Sequence, residues 1–131
     1  ALVAPTTQTQ PRRSVRGLDT ARVNQVIAVL DRHAGISLGD KEVYVNVVGG
    51  WRLDEPGCDL PVALALASSA ADQPLGRMAA WGEVGLAGEV RSVPFEARRV
   101  EELNRMGLDS RVAPGGGEPM RLADALRKAG L

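Results

Sequence analysis

Cys58 and His33 are the residues whose side chains could act together as a nucleophile and a base, and each type occurs once in the sequence. A thiol activated by an imidazole requires the two groups to meet, and nothing in the sequence predicts that contact. His33 falls late in a predicted helix, away from its apolar stripe, so we expect an exposed or helix-capping histidine. With a single Cys and a single His, neither an intrachain disulfide nor a four-ligand Cys/His zinc site can form.

A run of glycines at Gly115, Gly116 and Gly117 is the second feature that could bind a ligand. A phosphate-binding loop needs a Lys followed by Ser or Thr after its last glycine, so that the ammonium reaches the phosphates. Glu118 follows here, and its carboxylate would repel phosphate. We therefore expect a flexible turn.

Arginine supplies 14 of the 16 basic residues, and its densest cluster is Arg12, Arg13 and Arg16. On an extended segment Arg12 and Arg16 share a face, where their guanidinium groups could follow a nucleic-acid backbone. Pairing with acidic residues of a neighbouring subunit is an equally good interpretation. The formal net charge is zero, which argues against a histone-like binder but allows a local basic patch.

Two tryptophans could stack on nucleic-acid bases. Trp51 follows two glycines and precedes Arg52, and it is the better candidate of the two for an exposed contact. Trp81 lies in an apolar segment and is expected in the core. The candidates for DNA binding or for an interface between subunits are therefore Arg12, Arg13, Arg16, Trp51 and Arg52.

The length of 131 residues predicts one domain. Hydrophobic periodicity and capping residues predict helices at 19–34, 59–71, 95–106 and 121–128. Alternating apolar and polar residues predict strands at 1–4, 12–16, 43–47, 51–53, 78–84, 89–93 and 111–113. We expect an α/β (α+β) two-layer domain in which one mixed sheet is covered by helices. The sequence lacks a signal peptide or a membrane-spanning apolar run, which favours a cytoplasmic location.

Three segments carry a resemblance to a known family: VNVVGG at 45–50, EPGCDLPVALALASS at 55–69 and GEVGLAGEVRSVP at 82–94. They resemble the C-terminal, Lon-protease-like domain of the RadA (Sms) family of bacterial recombination and repair proteins, and the resemblance covers nearly the whole chain. It implies a ribosomal-S5-domain-2-like sandwich over residues 1–131, with 1–17 as a basic lead-in strand and loop. It also implies that the zinc finger and the RecA-like ATPase of the family, with their zinc, magnesium and ATP, are absent from this sequence. No cofactor is expected in this domain.

The similarity to Lon permits a chemical test, because Lon peptidases use a Ser–Lys dyad in which a lysine of lowered pKa activates the serine hydroxyl. The resemblance places Pro61 at the serine position and Ala97 at the lysine position. The lysines of the sequence, Lys41 and Lys128, are both far from position 97 along the chain. Catalytic residues are therefore expected to be absent. A divergent Lon-like serine peptidase is the disfavoured alternative, and a sugar or mevalonate-type kinase of the same broad fold would need a phosphate loop that is missing.

The family implies a non-catalytic scaffold domain that supports a hexameric ring and contacts DNA. The expected assembly is an ATP-dependent branch-migration motor in homologous recombination and DNA repair. Its expected partners are single-stranded or branched DNA, further copies of itself and other recombination proteins, with no membrane.

Overall fold

The computed structural model describes residues 1–115 and 119–131. Its first helix forms as the capping residues predict. Helix α1 spans Thr20–Ala34, and the Asp19 carboxylate accepts a hydrogen bond from the Ala21 N–H at 2.8 Å. Gly35 ends the helix in the left-handed conformation, with φ of 68°. Its apolar stripe is buried: Val23, Val26, Ile27, Val29 and Leu30.

The first sheet is built from three strands in the order β1-β3-β2. These are β1 (Leu2–Pro5), β2 (Arg13–Arg16) and β3 (Lys41–Asn46). Strand β1 is antiparallel and β2 parallel to β3, and α1 is the crossover that a parallel pair requires. Val43 and Val45 are buried and pack with α1 and the next helix in one apolar core. The opposite face of this sheet points outward.

The second helix, α2 (Asp59–Ala71), follows a 3₁₀ turn at Pro56–Cys58. It is apolar on nearly every side and packs between α1 and β1, with these residues buried in the core: Leu60, Ala63, Leu64, Leu66 and Ala67. The sequence predicts Asp59 as its N-cap, and this is wrong. Asp59 is the first helical residue, and its side chain makes no capping bond because it points toward Arg22 on α1.

The predicted strand at 78–84 is divided between two sheets. Ala79–Ala80 (β4) pairs in parallel with Arg111–Val112 (β7). Glu83–Val84 (β5) instead belongs to an antiparallel sheet with Glu89–Arg91 (β6) and Met120–Arg121 (β8). Gly82 lies at the division, where a Cβ atom would stand 2.5 Å from the Val90 Cγ1 atom. The chain changes sheets where a side chain would collide with the core.

Two more helices complete the described part of the chain. Helix α3 spans Glu96–Arg105 and packs Leu103 into a small apolar cluster with Trp81 and Val93. Helix α4 spans Leu122–Lys128 and packs into the main core. In the ranges 1–115 and 119–131, no helix has the length and apolar character needed to cross a bilayer. Most of the turn predicted at Gly115–Gly117, with Glu118, lies outside these ranges.

The mixed α/β class is confirmed, but the prediction of one mixed sheet is wrong. Residues 1–115 and 119–131 form three small sheets with four α-helices. The predicted strand at 51–53 is also wrong. Gly49 and Gly50 both have positive φ, of 90° and 74°, and turn the chain away from β3. Beyond this turn, a hydrogen bond from the Leu53 N–H to the Gly17 carbonyl, at 2.8 Å, holds the segment to the chain after β2.

Candidate nucleic-acid interface

Strand β2 carries the densest arginine cluster, and its alternation divides that cluster between two faces. The register pairs Arg13 with Val43 and Val15 with Val45, whose side chains are buried. Successive residues of a strand point to opposite faces. Arg12 and Arg16 therefore lie on the outer face of the first sheet with Ser14, and both arginines are exposed.

Arg13 is turned toward the interior, unlike its two neighbours in the cluster. Its Nη2 atom donates to the Leu38 carbonyl at 3.3 Å, and its Nη1 atom is buried. The Arg13 guanidinium therefore makes a contact within the domain and does not belong to the outer surface. The sequence pattern of an extended segment contains this division, because a residue next to an outward-facing one points inward.

Tyr44 on β3 is the aromatic residue of the same outer face, and the sequence analysis missed it as a candidate. It pairs with Ser14, and the next outward residue, Asn46, pairs with Arg16. The Tyr44 hydroxyl donates to the Glu42 carboxylate at 2.8 Å, and this hydrogen bond raises the pKa of Tyr44. The signal was present in the sequence, since Tyr44 occupies a polar position of an alternating Val-Tyr-Val-Asn strand.

Trp51 and Arg52 lie in the loop that returns from β3 to the end of β2. The Trp51 side chain is 73% exposed, as predicted, whereas Trp81 is buried at 4%. Gly17, the residue after Arg16, lies against this loop so closely that a Cβ atom there would stand 2.7 Å from the Trp51 carbonyl oxygen. Arg52 pairs with Asp54 at 3.1 Å on the surface. The fold therefore brings Trp51 to the end of the strand that carries Arg12 and Arg16.

The outer face of the first sheet also carries an acidic residue, Glu42, which accepts hydrogen bonds from two neighbouring hydroxyls. Glu42 accepts hydrogen bonds from the hydroxyls of Tyr44 and of Thr6, the latter at 3.3 Å. These contacts hold the Tyr44 ring at its hydroxyl end, and the Glu42 carboxylate keeps its negative charge. Arg12 and Arg16 are left as the cations of this face. The surface defined by Arg12, Ser14, Arg16, Tyr44 and Asn46 is called the outer sheet face below.

Pro61 and Ala97, the positions that the resemblance assigns to a Lon-type dyad, lie on different helices. Pro61 stands in the first turn of α2, and Ala97 is exposed near the start of α3. The serines further along α2 make structural hydrogen bonds. Ser68 donates to the Gln73 carbonyl at 2.6 Å, and Ser69 accepts from the Val3 N–H at 2.9 Å.

His33 and Cys58 lie near opposite ends of α1. His33 lies in the last turn of the helix, and its Nε2 atom is 3.0 Å from the Leu86 carbonyl oxygen. Cys58 lines a cleft with Arg22, in the first turn, and burial raises the pKa of its thiol. Arg22 and His33 are separated by roughly 16 Å along the helix axis. Among the described residues, no cluster of His, Cys, Asp and Glu could hold a metal ion.

An ion pair between a partly exposed arginine and a buried carboxylate joins the two helices beside this cleft. The Arg22 guanidinium binds the Asp59 carboxylate through two hydrogen bonds, at 2.6 and 2.7 Å, and lies 3.4 Å from Glu83. Asp59 is 3% exposed and also accepts from the Val84 N–H at 3.0 Å. The hydrogen bond to Asp59 raises the pKa of Arg22. These contacts hold the starts of α1 and α2 against β5.

Comparison with known proteins gives a consistent family. The DNA repair protein RadA of Escherichia coli is 38% identical over the whole chain, and that of Mycobacterium tuberculosis is 43% identical over 92% of it. The DNA repair protein RadA of Bacillus subtilis is 40% identical over 87% of the chain. No protein-family model matches the chain. The chain spans 25% to 29% of the length of these relatives. It is therefore a RadA-type domain, equivalent to roughly a quarter of a DNA repair protein of that family.

Proposed function

We propose that this chain is the non-catalytic, Lon-like scaffold domain of a RadA protein, and that it contacts DNA. The observation that carries the proposal is the occupancy of the two dyad positions in a chain similar to RadA throughout its length. Under the resemblance, Pro61 and Ala97 would occupy the positions at which a Lon peptidase has its nucleophile and its base. Proline has no side-chain hydroxyl and alanine no amine, so acyl transfer through a Ser–Lys dyad has no chemical basis at these positions.

The DNA contact is supported by the outer sheet face. Arg12 and Arg16 are exposed on one side of β2, with Trp51 beside the residue that follows them. Arginine suits phosphate recognition because its planar fork donates two parallel hydrogen bonds. Most contacts that proteins make with DNA go to phosphate and sugar, so a surface of this kind would position the domain without reading sequence.

The wider role that we propose follows from the RadA relationship. The domain would adopt the ribosomal-S5-domain-2-like arrangement of Lon and would support a hexameric ring in the cytoplasm. That ring would drive branch migration during homologous recombination and repair, at the expense of ATP. Nucleotide, magnesium and zinc would be bound by other parts of the parent protein.

The absence of peptidase activity is tested directly with the chain and its Pro61→Ser variant. We expect neither protein to cleave casein or a fluorogenic peptide, because a serine without its lysine is a weak nucleophile at neutral pH. We also expect no labelling by a serine-directed fluorophosphonate. Stoichiometric labelling of the unmodified chain at one serine would contradict the proposal and favour a divergent peptidase.

A further inference from the structure

We infer that the groove beside helix α3 is a docking site for a segment of another protein, in which acidic residues precede bulky apolar side chains. The groove lies between α3 and the sheet of β4 and β7, and it shares no residue with the outer sheet face. The proposed function assigns no partner to this groove. The docking site and the DNA contact can therefore be tested separately.

The groove is apolar and open to solvent. Its volume of about 370 Å³ is typical of ligand pockets. Six apolar side chains form its floor and edges: Ala79, Trp81, Phe95, Leu103, Met106 and Leu108. Phe95 and Met106 are 69% and 58% exposed, and they lie three turns apart on one side of α3, roughly 16 Å along the axis. An apolar surface that a chain leaves uncovered is typical of a protein-binding site.

Phe95 has a backbone conformation that is unusual for an aromatic residue. Its φ of 66° lies in the left-handed region, which bulky side chains rarely adopt. The Arg98 guanidinium lies 5.9 Å from the centroid of its exposed ring. The fold gains little burial from this ring, and residues with strained backbones concentrate at binding sites. A bound apolar side chain would bury the ring.

Arg98 is the cation that the groove offers to a ligand. Arg99 pairs with Glu55. Glu102 accepts a hydrogen bond from the Arg105 Nε atom at 2.9 Å. Arg98 has no ion-pair partner within residues 1–115 and 119–131, so these five side chains leave one positive charge uncompensated. A carboxylate at the start of α3 would pair with Arg98 while the side chains that follow it lie on the apolar floor.

The remaining acids of α3 lie outside the groove. Glu96 and Glu101 do not line it, so Glu102 is its one acidic lining residue among the residues that the structure describes. Ala97 is two residues from Phe95 and therefore lies on the opposite side of the helix. The docking site is thus separate from the position that the resemblance assigns to a Lon-type lysine.

A protein segment fits this groove better than nucleic acid does. Binding of a nucleic-acid backbone depends on several neutralised phosphates, whereas the groove offers one uncompensated arginine. Aliphatic and aromatic side chains are the usual anchors of protein segments in apolar grooves. An extended chain advances about 3.3 Å per residue, so roughly five residues would span the groove.

The test measures binding of the 131-residue chain to a fluorescein-labelled peptide by anisotropy. The peptide contains two aspartates followed by leucine, phenylalanine and leucine. One control peptide has lysines in place of the aspartates, and another has serines in place of the apolar residues. We expect saturable binding of the first peptide alone, with a dissociation constant below about 1 mM. Weaker binding than this, or equal binding of a control peptide, would overturn the inference and leave the DNA contact intact.

Variants of Arg98 test the charged end of the site. Arg98→Ala should weaken binding of the aspartate peptide by about 2- to 5-fold, the effect of one exposed ion pair. Arg98→Lys should retain most of the affinity. Arg32→Ala is the matched charge control, because Arg32 is exposed on α1 and does not line the groove. Equal weakening by Arg98→Ala and Arg32→Ala would show a general charge effect and overturn the assignment of Arg98.

Phe95→Gly separates binding from folding. It should weaken peptide binding by about 10-fold or more, because the ring is lost from the contact. It should leave the melting temperature unchanged or raise it, because glycine adopts a positive φ without strain. Leu86→Ala is the apolar control, since Leu86 is 72% exposed and lies outside the groove. Unchanged binding by Phe95→Gly, or a lowered melting temperature, would overturn a binding role for this ring.

Tryptophan fluorescence locates the bound peptide. The sequence has two tryptophans, so Trp51→Phe leaves the emission of Trp81, which lines the groove. Peptide binding should change this emission, and an oligothymidylate of about 16 nucleotides should neither change it nor displace the peptide. Peptide binding without a change in emission, or displacement of the peptide by the oligothymidylate, would overturn the inference.

Discussion

The Asp59 carboxylate is buried beside the apolar core, and its burial is stabilised by Arg22. A buried carboxylate without a partner is costly, so the two hydrogen bonds from Arg22 and the third from the Val84 N–H are what permit its burial. The pair joins residues that are far apart in the sequence. Its removal should therefore loosen the junction of α1, α2 and β5 as a unit.

Asp59→Ala is expected to lower the free energy of unfolding by about 2–3 kcal/mol. This is near or below the lower end of the range for broken buried pairs, because Arg22 is partly exposed and regains water. Asp54→Ala removes the partner of Arg52 in a surface pair and should cost less than about 1 kcal/mol. Urea unfolding monitored by tryptophan fluorescence measures both. Equal losses for the two variants would show that the Asp59 pair contributes no more than a surface contact.

Single residues show where prediction from sequence reaches its limit. The N-cap role of Asp19 is a local hydrogen bond, and the sequence predicts it correctly. Asp59 has the same local signature, yet its side chain is taken by an arginine 37 positions away. Arg13 shows the opposite case, since strand alternation alone separates it from Arg12 and Arg16. Long-range partners are what the sequence pattern leaves out.

At the scale of elements, the junction between β2 and the Trp51 loop depends on Gly17. This residue has φ of 81°, and a Cβ atom there would stand 2.7 Å from both the Trp51 carbonyl oxygen and the Val47 Cβ atom. A non-glycine residue would meet a left-handed backbone and a collision with main chain together. Glycine at this position therefore allows the end of β2 and the Trp51 loop to pack closely.

Gly17→Ala should lower the free energy of unfolding by about 2 kcal/mol or more, from backbone strain and the displaced loop. Gly39→Ala is the matched control, because no atom other than those of Gly39 and its two chain neighbours lies within 4 Å of its Cβ position. It should be neutral or slightly stabilising, by up to about 1 kcal/mol. Thermal and urea unfolding compare the two. A Gly17→Ala protein as stable as Gly39→Ala would mean that the loop moves freely away from β2.

The hairpin of β5 and β6 is closed by a glutamate side chain. The Glu89 carboxylate binds its own backbone N–H, pairs with Arg91 and accepts from the Ala87 N–H at 3.1 Å, and these contacts lower the pKa of Glu89. The folded state therefore binds this proton more weakly than the unfolded state. The stabilising contribution is fully present above the ordinary pKa of 4.5 and is lost as the pH falls through the lowered value.

Glu89→Gln should accordingly reduce the loss of stability between neutral and acidic pH, while lowering stability at neutral pH. Unfolding curves recorded from pH 7 downward measure the difference between the two proteins. The account predicts that the curves of stability against pH converge at low pH. An acid limb that is identical in slope for both proteins would exclude a role for this carboxylate.

Elements that depend on local signals are predicted well, and short strands are predicted poorly. Helix α1 has a capping aspartate, an apolar stripe and a terminal glycine, and its bounds match the prediction. The segment 78–84 has a continuous apolar character but belongs to two sheets, because Gly82 packs against Val90. Strands of two residues gain their identity from partners distant in the sequence, which periodicity does not contain.

For the whole molecule, the class of fold follows from the sequence but the arrangement of sheets does not. Alternating helices and strands predict a mixed α/β domain, and the structure confirms it. The division into three sheets results from pairings such as β4 with β7 and β6 with β8, across more than one intervening element. The outer sheet face likewise results from the pairing of strands that are distant in the sequence. Its arginines were predicted, but Tyr44 joined them only through the register of β2 with β3.

Assembly belongs to this scale as well. A RadA protein that carries this domain is expected to sediment as a hexamer, and deletion of residues 1–131 of this chain from it should abolish or greatly weaken that hexamer. The near-zero net charge leaves self-association unopposed by long-range repulsion. Sedimentation velocity of the two proteins makes the comparison. Undiminished hexamers after deletion would show that other domains suffice for the ring.

The salt dependence of DNA binding tests the central claim, that this scaffold contacts the DNA backbone through its outer sheet face. The dissociation constant of the chain for oligothymidylate is measured across a range of salt concentrations, for the unmodified chain and for a variant with Arg12→Ala and Arg16→Ala. Each phosphate neutralised on a single strand contributes about −0.7 to the slope of log affinity against log salt. The account predicts weaker binding and a slope that is flatter by about 1.4 in the double variant, with no change for Arg32→Ala. The same slope and affinity in the double variant as in the unmodified chain would contradict it.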